Sequence, residues 1–571
     1  VDSPPTPPPA AADKAREALI ALGRRVRRHL QAEWFGSPFH LLTLGGPKVQ
    51  GVAAAPHDPR PKKAGRGQPI LSGVYHFAGQ TLDLGPGGDP WDRPSPTRAF
   101  SEALHRLDWL GDLLATGEAG EREALRLVLD WRRIFGGWNS FSWSPPILQR
   151  RTINLACALR SVTGRASDIE AAQLCQSLAR QGRQLLQIED GPIGVAERAA
   201  AAAIAGATLS GEAGERLMTK GLDVLDRTLP HTVLADGGHA SRSPQAGLEL
   251  LLDLLTLDDA LSQRGRAVPA EMARAIDRLS AALRLLVLPD GRLATFQGGE
   301  EGNPEHAAAA RAALDVADGP SPQSLPQTGY HRLSGRALTV IADAGKPAAG
   351  AWSEGATAQP LAIEVLVGAD RLITNCGWSA ASGAPDTLRL TNAASTLTLG
   401  DGSAGELAPS RLLHSPLRGG PRTVEVKRHE TPEGGWLELS HDGWAADWGL
   451  VHHRMIYIDR ASDELRGEDS LSPVRPGAGQ MRVAPLAIRF HLHPQVRASL
   501  ARDGRSVLIQ GPTAKGWWLR NDAAEVSIEP SVHYEDGQPR RTSQIVLRGQ
   551  VAADAGGRVR WKLAAVEPAQ P

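Results

Sequence analysis

The apolar residues of this 571-residue chain change their spacing once, and that change limits the folds open to it. From Pro96 to about Leu288 they recur every three or four residues, the period of helices with one buried face. The blocks run at roughly 96–115, 121–136, 146–162, 167–188, 195–209, 214–229, 244–263 and 269–288. Ser95-Pro96, Ser144-Pro145 and Ser243-Pro244 each read as an N-cap followed by proline in the first helical position. Short links force neighbouring helices to run antiparallel, and such hairpins bury their apolar faces only by stacking into a bundle, a solenoid or a closed toroid. The Gly-rich tract Gln297–Leu325 reads as a linker, and beyond it short segments alternate apolar and polar residues, as strands do. Val451–Ile458, Ile488–His493, Val507–Gln510 and Ile545–Leu547 are examples, with turns such as Asp503-Gly504 and Asp536-Gly537 between segments. Many short strands with polar turns predict a large antiparallel β-sandwich. The expected division is an N-terminal helix and extended arm over 1–95, a helical domain over 96–300 and a sandwich over 325–571.

Within the helical part, Asp236-Gly237-Gly238-His239-Ala240-Ser241-Arg242-Ser243-Pro244 stands directly before an apolar helix. The glycine pair permits a sharp turn and a close approach of backbone to another group. His239 and Arg242 are thereby held beside a helix N-terminus, which favours anions. An imidazole that moves protons and a guanidinium that grips carboxylates suit an acidic ligand. A capped turn between two bundle helices explains the same residues without a ligand.

Composition narrows the function classes. Sixty-three basic residues balance 63 acidic ones, so no whole-molecule field draws the chain to nucleic acid. Three cysteines, Cys157, Cys175 and Cys376, make no disulfide framework. No apolar run has membrane-spanning length, and no signal peptide is visible. The basic cluster Arg24, Arg25, Arg27 and Arg28 lies on an expected helix from Ala11 to Phe35, read as a solvated helix or a membrane-surface one. Arg132-Arg133 and Arg150-Arg151 on successive helices read as a groove for an acidic glycan or as a solvated face. His491 and His493 alternate on one strand with Arg489 and are expected to share a face. With a third ligand they would hold a metal, and without one they line a polar groove.

Several motifs together carry a family resemblance. They are Trp91-Asp92 with Phe100–Leu110, the Asp236–Pro244 stretch, and Gly329-Tyr330-His331-Arg332-Leu333. Further on come Leu361-Ala362-Ile363-Glu364, Asn375-Cys376-Gly377, Ser395-Thr396-Leu397, Arg466-Gly467-Glu468-Asp469 and Arg489-Phe490-His491-Leu492-His493-Pro494. In order and spacing the chain resembles the heparinase II/III family of polysaccharide lyases, particularly the form common in α-proteobacteria. The resemblance implies an α/α toroid, an incomplete barrel of helical hairpins, followed by an antiparallel β-sandwich. It implies β-elimination on a uronic-acid-containing polysaccharide, with an acidic polysaccharide as partner and the cell envelope or periplasm as location. A cytoplasmic location stays open.

That reaction needs the uronate carboxylate neutralised, a base for the C5 proton and an acid for the departing O4. His239 and Arg242 are the residues the resemblance puts forward. The chain departs from the family's pattern where a Tyr-His pair follows Arg-Ser-Pro, since it has Gln245-Ala246. Ala356-Thr357-Ala358 replaces an Ala-His-Ala, and Ala393-Ala394-Ser395-Thr396 an Ala-His-Ser-Thr. With Thr357, Asn375 and Ala394 at the family's metal-ligand positions, no cofactor and no metal is expected. Tyr75, with His76 beside it, is the replacement acid or base to look for. His76, Arg150, His491 and His493 are the expected substrate contacts. Two functions follow: an active lyase, or a catalytically degenerate glycan-binding or envelope-polysaccharide-associated protein on the same scaffold.

Overall fold

The computed structural model describes residues 23, 26, 27, 29–189, 191–314, 321–380, 382–408, 415–475, 482–513 and 515–566. The expected helix over Ala11–Phe35 lies mostly outside them; its described part is helical to Gly36, except at Ser37 where a cap begins Pro38–Thr43. The chain divides into two compact units, one of residues 1–229 with 252–273, the other of residues 230–251 with 274–571.

The first unit is helical. Glu118–Phe135, Pro145–Thr163, Asp168–Leu185 and Val195–Thr208 follow the spacing of the apolar blocks. Ser167 and Glu170 form a capping box that fixes the start of one of them. Ser95-Pro96 does not start a helix: Thr97 is the cap, its side chain accepting from the N–H of Phe100, and the helix runs Arg98–Arg106. Val195–Thr208 is buried along almost its whole length by a run of alanines. Small side chains let its neighbour come close. A Cβ on Gly206 would lie 2.2 Å from the backbone nitrogen of Met218. The expected arm contains the helix Ala64–Leu71 and a hairpin pairing Val74–Phe77 with Gln80–Asp83.

The second unit carries two antiparallel sheets. One has eight strands, in the order 424–430, 434–441, 450–459, 464–473, 557–565, 516–521, 507–510 and 497–500. The other has nine, running 525–535, 538–552, 483–492, 370–374, 363–367, 338–343, 330–334 and 324–325, with 397–399 paired to 483–492. Asp536 and Gly537, both at positive φ, make the two-residue turn between 525–535 and 538–552. Side chains of both sheets, among them Ile456, Leu465, Phe490, Ile545 and Trp561, share one buried core. Helices first and antiparallel sheets after is thus the architecture expected from the change of period. The tract read as a linker is not without structure, because Pro304–Ala313 is a helix capped by Asn303.

A polar bolt crosses that core. Arg454, fully buried on Leu450–Asp459, grips both oxygens of Asp469 at 2.7 and 3.1 Å. It also donates to the carbonyls of Leu361 and Ser395, which lead into strands of the other sheet. His452 and Trp561 add two more bonds to Asp469.

Candidate functional site

The Asp236–Pro244 stretch folds as a tight loop in the second unit. Asp236 accepts the backbone N–H groups of Gln327 and Thr328, both at 2.7 Å, and the Thr328 hydroxyl at 2.8 Å. A Cβ on Gly238 would sit 1.8 Å from that hydroxyl oxygen, so the close approach that the glycines allow is made to Thr328. Ser243 caps the helix that starts at Pro244, its Oγ accepting from Ala246 N–H.

His239 is buried, with Nδ1 2.7 Å from the Ser241 hydroxyl and its ring edge-on to Trp352. Arg242 has left-handed backbone, φ 64°, and a buried side chain. Its Nε donates to the Thr328 carbonyl at 2.6 Å and one terminal nitrogen pairs with Asp343. The Tyr330 ring lies 5.3 Å from the guanidinium, and the Tyr330 hydroxyl donates to the Arg242 carbonyl. Asp343 also accepts from Gln297 at 2.7 Å and Gln359 at 3.3 Å. Arg242, expected to hold a ligand carboxylate, therefore holds one of the chain's own. Arg242→Ala is expected to lower stability by about 3 kcal/mol, because it strands a buried carboxylate. Urea unfolding measures this, and an unchanged midpoint would contradict it.

The candidates of the first unit are also committed elsewhere. Tyr75 is fully buried beside Phe77, and its hydroxyl has no hydrogen-bond partner among the described residues. Burial pushes that phenol well above its ordinary value, which does not suit a proton shuttle near neutral pH. His76 is exposed on the hairpin and pairs across it with Thr81 at 2.8 Å. Arg150 bonds Asp253 at 2.8 Å and stands 3.4 Å from Asp58, in a network that includes Arg60. It is an internal ion pair rather than an open substrate contact.

His491 and His493 reach Ser531 and His533, two positions apart on one strand, but they do not share a ligand set. The strand ends at Leu492, and the two rings find different neighbours. His491 spends Nδ1 on the Ser531 hydroxyl at 2.8 Å and donates from Nε2 to the Asn392 carbonyl at 3.0 Å. Burial, with Arg489 nearby, lowers its pKa to about 3. His493 instead faces Glu301 and His533, both buried and neither singled out by sequence reasoning. The signal for Glu301 was a pair of acidic residues among glycines, taken for a solvated linker. His533 gave none beyond its place on a strand.

The metal-ligand positions of the resemblance do not fit a metal. Thr357 Oγ1 is buried with no hydrogen-bond partner among the described residues, the Asn375 amide is used by Ser395 N–H and the Thr295 carbonyl, and Ala394 has no donor. Apart from these residues, the first unit has a groove of about 410 Å³ lined by Trp91, Arg93, Arg98, Phe135 and Phe141 among others.

Residues 317–562 match the heparinase II/III-like C-terminal domain. Over 549 residues the chain is 50% identical to FtsZ-localized protein C of Caulobacter vibrioides, covering 94% of each chain. The chain belongs to the heparinase II/III-like family. The crystal structure of heparinase III superposes with a TM-score of 0.69 at 13% identity, over 98% of this chain and 92% of that one. Heparan sulfate lyase HepC from Pedobacter heparinus gives 0.56 at 15%, over 99% and 92%. At such identities these likenesses establish the family's fold, helical toroid and antiparallel sandwich, and leave its chemistry to the residues. Among the described residues no helix is long and apolar enough to cross a membrane.

Proposed function

We propose that this heparinase II/III-like chain is a non-catalytic scaffold that localises with FtsZ, as its 50%-identical relative is named for doing. The observation that carries the non-catalytic part is Arg242: it is buried and its charge is paired with Asp343, so it does not stand open to a uronate. The other supports point the same way. Tyr75 is sealed in a core, and Thr357 and Ala394 supply no imidazole where the family pattern has one. Fold alone does not bring the lyase activity with it.

The test has two arms. Purified protein incubated with a panel of uronate polysaccharides is expected to give no rise in the ultraviolet absorbance of unsaturated product. A fluorescent fusion in the source bacterium is expected to form midcell bands that disperse when FtsZ is depleted. Turnover abolished by His239→Ala would restore the lyase, and a diffuse fusion in dividing cells would remove the FtsZ association.

The groove of the first unit favours a second reading, an acidic-glycan-binding protein. The half-buried Phe135 and Phe141 offer faces for sugar rings, and the exposed Arg93 and Arg98 offer charge for uronates. Saturable binding of a uronate oligosaccharide that is lost in Arg93→Ala/Arg98→Ala would establish it.

A further inference from the structure

Glu301 Oε2, His493 Nε2 and His533 Nε2 converge within 4.8 Å of one another inside the second unit. The oxygen lies 3.5 Å from the first nitrogen and 3.8 Å from the second. These separations are long for hydrogen bonds. They are near the spacing of about 3.3 Å that two ligands at zinc-bond length and tetrahedral angle would show.

The hydrogen bonds around the cluster decide what the three atoms present. His533 Nδ1 lies 2.9 Å from the Asn375 carbonyl, which can only accept, so Nδ1 carries the proton. A neutral His533 therefore turns the lone pair of Nε2 inward, toward a carboxylate oxygen. Both that nitrogen and Glu301 Oε2 are buried without a hydrogen-bond partner among the described residues. Two lone pairs facing each other in a dry interior repel unless a proton or a metal cation lies between them, and at 3.5 and 3.8 Å the separations are long for a shared proton.

The neighbouring charges leave room for that cation. Glu301 is aimed by Arg292, which bonds its other oxygen at 3.1 Å. Arg371 stands 3.7 Å from Oε2, but its donors go to Asp290, Thr295, Glu364 and the Leu293 carbonyl. Asp290, Glu301 and Glu364 together outnumber the two guanidiniums, so the interior here is negative. The His493 side chain is 11% exposed, which gives the cluster its one wet side.

We propose that Glu301, His493 and His533 bind one divalent ion of the zinc class, with a fourth position open on the side of His493. Two imidazoles and a carboxylate are a donor set that suits zinc and its borderline neighbours. The Asn375 carbonyl behind His533 and Arg292 behind Glu301 are the outer partners that orient such ligands. This set shares no residue with Thr357, Asn375 and Ala394, so the expectation of no metal argued from those positions does not reach it. Binding here is independent of whether the chain is a lyase.

The experiment uses the full-length, untagged protein, stripped with a chelator and titrated with Zn²⁺ or Co²⁺. Elemental analysis is expected to find one ion per chain, with a rise in thermal midpoint and visible absorption from bound Co²⁺. Glu301→Gln and His533→Asn should each weaken binding by at least roughly 100-fold, more than the loss of an outer partner costs. His429→Gln, on the exposed face of a strand, should leave it unchanged. Zinc should also shield His493, the ligand with exposed side-chain area, from diethylpyrocarbonate in the unmutated protein, read by mass spectrometry, which needs no variant to fold. No saturable binding, binding untouched by both substitutions, or no protection of His493 would each overturn the proposal.

Discussion

Arg454→Ala is expected to be among the most damaging single substitutions in the second unit, costing roughly 3–5 kcal/mol. The side chain is fully buried, and every bond it makes ends on a group that has no water to fall back on. Removing it leaves Asp469 as a buried carboxylate supported only by His452 and Trp561. It also leaves the carbonyls of Leu361 and Ser395 without this donor, and these are where one sheet is fastened to the other. At present Arg454, with His452, holds the Asp469 carboxyl well below the usual carboxylate range in spite of the burial that opposes it. A double-mutant cycle separates this account from a simple loss of packing. Arg454→Ala combined with Asp469→Ala should cost less than the two singles added, because the second change no longer strands a charge. Urea unfolding followed by tryptophan fluorescence gives all the quantities. A single variant within about 1 kcal/mol of the parent protein would show that the bolt is not fastening the sheets.

Arg454 also shows where sequence reasoning stops. Helices such as Pro145–Thr163 and Pro244–Gln263 were legible because a Ser-Pro start and an apolar stripe agree. Strands with plain alternation, such as Leu450–Asp459, were legible for the same reason. Glu464–Pro473 was not recognised as a strand, although Arg466-Gly467-Glu468-Asp469 had been noticed as a motif. Its inward positions are Leu465, Gly467, Asp469 and Leu471. Gly467 is there because the Trp561 ring occupies its side-chain space, where a Cβ would lie 2.1 Å from the indole, and Asp469 because Arg454 pairs with it. Both substitutions hide the hydrophobic period, and both depend on residues distant in sequence.

The site was less legible than the fold for a related reason. His239, Arg242 and Tyr75 have the right chemistry, and sequence cannot reveal that a residue such as Asp343, a hundred positions away, has already taken the guanidinium. Glu301 and His533 escaped notice because neither lies in a spacing pattern. They meet only when the chain returns, with a glycine-rich tract and a strand brought to one point. A polar cluster assembled from distant segments leaves no local period, so composition and spacing see each member as a solvated residue.

Acidification is expected to unfold the second unit well before its carboxylates titrate. His331 and His491 are buried neutral, their pKa values lowered from 6.5 to about 4 and about 3, by burial first and by the nearby Arg428 and Arg489 second. His441 is lowered well below its ordinary value by burial and by His452 beside it. His452 is lowered by burial in spite of its bond to Asp469. For such groups the sign is fixed. Well above pH 6.5 neither state is charged and stability is at its full value. As pH falls below that, the unfolded chain takes up protons that the folded chain refuses, and stability drops until the folded value is reached. The slope is about 1.4 kcal/mol per pH unit for each histidine, so at pH 5 His331 and His491 alone would cost roughly 2 kcal/mol apiece. Glu300 works the other way, its buried carboxyl being raised, but it opposes several histidines singly. Urea midpoints measured in half-unit steps from pH 7.5 to 5 should fall continuously below about 6.5. His331→Gln should make that fall shallower by close to one proton, since the unfolded chain then has one fewer imidazole to charge. Stability that stays level from pH 7 to 5 would mean that these rings take up protons in the folded protein in spite of their burial, and would overturn this account.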